Sequence, residues 1–143
     1  MKAQKLLRVF LNILAIYLVG DGAIHLLNIR LQSVQNVWPQ SALSYAVLLN
    51  GIYASFVFLV AILVLVVQKD LKKYKSLIFA SAIWSLFHGL LLTYLTLNQN
   101  FISSFLSYPS LYVWMPFYNQ YLLFEAFLAF VYVILVLIYL KSS

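Results

Sequence analysis

No cysteine occurs among the 143 residues of the chain. That absence removes disulfides, thiolate metal sites, iron–sulfur clusters, redox-active thiols and S-acylation together. Charge is nearly as scarce. Only 8% of the residues are Asp, Glu, Lys or Arg, against about 25% in soluble domains. Acids are the rarest of these: Asp21, Asp70 and Glu125 are all there are. Such a composition belongs to a membrane protein before any periodicity is considered. A Gly-x-Ser-x-Gly elbow, a phosphate-binding glycine loop and a dinucleotide fingerprint are also missing. Serine or cysteine nucleophiles therefore have no support, and the balance leans away from an enzyme.

What fills the chain is apolar surface: 65% of residues are hydrophobic, with eleven Tyr and eleven Phe. Four apolar runs stand out at 6–29, 42–67, 76–97 and 117–140. Each approaches the ~20 residues needed to cross a hydrocarbon core about 30 Å thick. They are too long for strands and lack the alternation of a transmembrane barrel. Helices satisfy every backbone group within lipid, so helices are expected. Short connections favour antiparallel neighbours. The expected fold is an all-α integral membrane protein, a four-transmembrane-helix up-down antiparallel bundle forming one domain over 1–143.

Lys2, Lys5 and Arg8 ahead of Val9–Val19 resemble the start of a secretory signal. The apolar pattern runs on past Gly22, however, so an uncleaved first span is the expectation. Eight of the nine basic residues, Lys2, Lys5, Arg8, Lys69, Lys72, Lys73, Lys75 and Lys141, fall on one side of a four-span chain. Only Arg30 falls on the other. That bias sets both termini and the 68–75 loop in the cytoplasm, in a multi-pass protein of the cell membrane. The net charge of +6 is then explained by topology, and nucleic acid is not an expected partner. The lipid bilayer is, since those lysines attract anionic headgroups.

The outer connections, 30–41 and 98–116, carry aromatics and prolines and no acid. Trp38-Pro39, Tyr108-Pro109 and Trp114-Met115-Pro116 stop helices and suit the headgroup region. Residues 101–107 are expected to form a short surface helix or a lid over the bundle mouth. Small residues mark candidate helix contacts: Gly51, Ala54 and Ser55, then Ser81 and Ser85, then Ala129.

The stretch Gly20-Asp21-Gly22-Ala23-Ile24-His25-Leu26-Leu27-Asn28 concentrates polarity inside the first apolar run. Spacings of four and three place Asp21, His25 and Asn28 on one stripe of a helix. At ~1.5 Å per residue, Asp21 lies roughly 5 Å, His25 about 11 Å and Asn50 about 7 Å to the outer side of mid-membrane. His88 comes at about 2 Å and Glu125 at about 5 Å on the same side, with Tyr121 one turn above the carboxylate. Asn12 lies on the opposite face of its helix and falls outside this layer. An acid near the bilayer centre costs about 2.5–3.5 kcal/mol on insertion scales. No Lys or Arg shares that depth. At least one of the two carboxyls is expected to be protonated, paired with histidine or ligated to metal.

Asp21, His25, Asn50, His88, Tyr121 and Glu125 are therefore the candidate ligand-binding cluster. Its expected role is to hold a cation, a proton or a small amphipathic ligand. Asp21, His25, His88 and Glu125 also suit a divalent transition metal by ligand type, and hence an intramembrane metalloenzyme, though no metal motif is present. A haem between His25 and His88 is disfavoured, since their depths differ by about 9 Å. The alternative is an accessory or scaffold subunit of a larger membrane complex, whose polar groups bond one helix to another. Other membrane subunits or a homodimer are possible partners, with no surface indicated by the sequence.

Overall fold

A computed structural model of the chain describes residues 2–32, 36, 38–98 and 115–142. It is all-helical among those residues: α1 over Lys2–Leu26, a 3₁₀ turn over Ile29–Leu31, α2 over Gln40–Val67, α3 over Lys75–Leu97 and α4 over Met115–Ser142. Four helices are long and apolar enough to cross a membrane. The expected segment 101–107 lies outside the described residues, as do the side chains of Tyr118 and Asn119.

These helices expose what a water-facing protein would hide. Ile16 is 74% exposed, Leu97 71%, and Trp84 and Phe87 66% each. Continuous apolar surface on this scale needs lipid or protein against it. Each helix nevertheless buries one stripe. On α1 it is Leu7, Leu11 and Ala15; on α2, Ala54, Val57 and Ala61. On α3 it is Ile78, Ala82, Gly89 and Leu92, and on α4 Tyr132, Val136 and Tyr139. Steps of three, four and seven keep such residues on one side of a helix.

Helix ends differ from the expected spans by a few residues, for identifiable reasons. The first helix starts at Lys2 because Lys, Ala and Gln are good helix formers and lysine stems lie along apolar surface while their ammonium groups reach water. It stops at Leu26 because Asn28 adopts the left-handed conformation, φ 52° and ψ 30°. Asparagine tolerates that geometry better than other side chains and commonly ends helices. The Asn28 main-chain N–H donates to the His25 carbonyl and the Leu31 N–H to the Asn28 carbonyl, which turns the chain into the 3₁₀ segment. At the start of α2, Pro39 takes an extended conformation and its carbonyl accepts from Leu43 N–H. Proline lacks the donor that a helix would leave unsatisfied there.

The chain forms two compact units, Arg8–Leu71 and Met1–Leu7 with Lys72–Ser143. Within the first, α1 and α2 run antiparallel. Asn28 meets Asn50, His25 meets Tyr53, Gly22 meets Phe58 and Arg8 meets Lys69, so one number falls as the other rises. In the second, α3 packs on α4, with Ser81 at Tyr132 and Gly89 at Phe130 and Ala129. The closest approaches come at glycines other than those expected. A Cβ on Gly22 would sit 3.1 Å from the Phe58 ring, and one on Gly89 3.1 Å from Phe130, whereas one on Gly51 would meet nothing within 4 Å. Ser55 is exposed and donates to the Ile52 carbonyl. Ala129 does fall at a contact, 3.4 Å from the Gly89 position.

Candidate functional site

The Arg8–Leu71 unit holds the more buried of the polar groups. Asp21 is only 4% exposed, the one charged side chain in the buried class among the described residues. One turn on, His25 Nδ1 lies 3.0 Å from the Asp21 main-chain oxygen and 3.4 Å from its carboxylate Oδ1. Helical spacing of four makes this contact, since side chains lean back toward the N-terminus. Two oxygens facing one ring nitrogen require a hydrogen on Nδ1. In a neutral ring that is the Nδ1–H tautomer, which leaves Nε2 as the acceptor nitrogen.

Across the hairpin, the Tyr53 ring lies against His25, with centroids 4.4 Å apart and planes tilted by 54°. The imidazole is thereby held between its own helix and an aromatic face from α2. Just beyond it, Asn50 Nδ2 donates to Asn28 Oδ1 at 3.0 Å, while Asn28 Nδ2 donates to the Leu26 carbonyl at 3.4 Å. Asn28 thus does two jobs: its backbone stops α1, and its side chain bonds to α2. Gly22 permits this closeness by leaving room for Phe58 against α1.

The second unit carries the remaining candidates. Tyr121 donates to Glu125 Oε1 at 2.7 Å, again across one turn. That length is at the short, well-formed end for an O–H···O bond. His88 stacks on Trp84, with centroids 6.4 Å apart and planes within 12° of parallel. Trp84 is itself 66% exposed. Among the described residues His88 makes no hydrogen bond or ion pair, with Glu125 or with any other side chain. Deeper polar contact is made instead by Ser81, whose hydroxyl is 2.7 Å from that of Tyr132 and donates to Ile78 O.

Of the six candidates, the structure joins Asp21 to His25 directly. It gives Asn50 a partner in Asn28, and Glu125 one in Tyr121. Tyr53 and Asn28 were not among the six. Asn28 shares the helical stripe of Asp21 and His25, so its place in the sequence carried that signal; Tyr53 carried none. Among the described residues no group of three or more His, Asp or Glu side chains is placed to hold a metal ion. In comparisons with known proteins, no family model, curated protein or solved structure matches the chain.

Proposed function

We propose that this is a multi-pass protein of the cell membrane that binds a proton or another small cation at the Asp21–His25 pair. Four spans in an up-down bundle, with both termini in the cytoplasm, are the topology we assign, on the strength of the lysine bias. The carrying observation is a carboxylate 4% exposed beside an imidazole whose side chain is 13% exposed, in a helix apolar enough to cross a membrane. Intramembrane ionisable residues are expensive to insert, and function is the usual reason they are kept. A proton taken up at His25 Nε2 would be countered by Asp21 on the other side of the ring, and Tyr53 would cover the ring face. In the other unit Glu125 is bonded to the Tyr121 hydroxyl and not to an imidazole.

Infrared titration of the protein in liposomes tests this. A carboxylate band that changes with pH, vanishes in Asp21→Asn and survives in Glu125→Gln supports the pair as the site. Identical titrations of Asp21→Asn and the parent chain reject it. Elemental analysis of detergent-purified protein is the complementary check: about one transition ion per chain would turn the reading to metal binding.

One set of observations favours a scaffold subunit instead. Asn50 with Asn28 and Ser81 with Tyr132 are polar pairs satisfied between helices, the pattern expected where polarity only fixes helix positions. Constant co-purification of one larger membrane partner, unchanged by Asp21→Asn, would select that reading.

A further inference from the structure

Asn12 is the polar residue that the candidate site leaves aside. It is exposed on α1, one helical turn and about 6 Å deeper than Arg8. Arg8 marks the level of the connection between α2 and α3, because its guanidinium donates to the Lys69 carbonyl at 3.3 Å. From there the helix continues through Ile13, Leu14, Ala15 and Ile16. Asn12 therefore presents an amide to the apolar surroundings of a membrane helix. Ser55, also exposed in a span, is satisfied by its own backbone. Among the described residues Asn12 has no such bond.

Its neighbours on that face form a regular seam. Val9, Asn12, Ile16, Val19, Ala23 and Leu26 follow steps of three and four, the heptad spacing by which two helices wrap around each other. Val9 is 48% exposed, Ile16 74%, Val19 46% and Leu26 55%. The buried stripe of Leu7, Leu11 and Ala15 lies on the other side of the helix. An amide within lipid needs a partner that offers both a donor and an acceptor at the same depth. A second copy inserted the same way round supplies one without further design, since its own Asn12 is at that depth. A two-fold axis along the membrane normal makes such a contact self-complementary.

We infer that two copies of this chain associate through α1, with Asn12 bonded to Asn12 of the second copy and Ile16 packed at the centre of the seam. The amide pair sets the register, as a single polar residue does in a heptad core. This contact is independent of any ligand at Asp21, which lies on the other face of the helix.

The absence of cysteine makes the test direct. Ile16→Cys, oxidised in native membranes, should yield a product of twice the chain mass, while Leu11→Cys on the buried stripe should stay monomeric. Adding Asn12→Val to Ile16→Cys should lower the cross-linked fraction about tenfold, the range expected for interhelical polar bonds in model membranes. Asn12→Gln should retain most of it. Valine makes the span more apolar, so loss of insertion would not explain the fall. The inference is overturned if Ile16→Cys remains monomeric, if it cross-links no better than Leu11→Cys, if Asn12→Val leaves the yield unchanged, or if the product has a partner of different mass.

Discussion

Asp21 and Glu125 solve the same problem in different ways. Each is an acid in an apolar helix, and each has a polar group one turn away: His25 for the first, Tyr121 for the second. In the Glu125 pair the Tyr121 hydroxyl donates and the carboxyl Oε1 accepts. A histidine at Nδ1 donates too, but the imidazole has a second ring nitrogen, which the phenol of Tyr121 does not match. Tyr121→Phe is accordingly expected to destabilise the fold by about 0.5–1.5 kcal/mol, the range for a typical intramolecular hydrogen bond, while leaving the infrared titration of Asp21 in place. Thermal unfolding in detergent measures the first effect and spectroscopy the second. Both contacts were visible in the sequence, because residues four apart on a helix must meet. Tyr53 and the partner of Asn50 were not, because the register between two helices is decided by packing and leaves no spacing to read. His88 shows the same limit differently. Its position along the helix could be read from the sequence, but its ring contact with Trp84 depends on side-chain rotamers that a spacing does not reveal.

Among the elements, contacts between paired helices are organised by glycines at close approach and by single hydroxyl pairs. Gly22→Ala and Gly89→Ala each put a methyl 3.1 Å from a phenylalanine ring. Displacing the ring costs more than the helix gains from losing a glycine, so a net loss of about 1 kcal/mol is expected. Gly51→Ala meets nothing within 4 Å and should be neutral, or stabilising by up to about 1 kcal/mol. Ser81→Ala removes the bond to Tyr132 and should cost about 0.6 kcal/mol, the mean for such bonds within a bilayer. A denaturant series on the four variants would rank them. The expected small-residue contacts at Gly51 and Ser55 failed for a simple reason. Composition shows that a helix has a small face, and a membrane helix has several.

At the scale of the whole chain, the four long apolar helices were legible because length and apolarity are strong signals in a sequence. No soluble alternative accounts for an exposed Ile16, Trp84, Phe87 and Leu97 together. Helix ends were less so: Asn28 stops α1 by its backbone conformation, and composition gives only a propensity for that. The basic residues at the starts of α1 and α3, with no acid in either first turn, run against the helix dipole. In the orientation we propose, with those lysines in the cytoplasm, the topological bias outweighs that modest penalty. A C-terminal reporter that is active only outside the cytoplasm should therefore stay silent, and one fused after residue 36 should be active.

The claim that a protonatable pair sits within the membrane is tested most directly at one nitrogen. In a His88→Phe chain labelled with 15N-histidine and placed in lipid bilayers, His25 is the only ring observed. Nδ1 should carry hydrogen in both charge states, Nε2 should be the nitrogen that gains and loses a proton, and Asp21→Asn should shift that transition. A ring found with its hydrogen on Nε2 and none on Nδ1, or one whose titration ignores Asp21→Asn, would contradict the account.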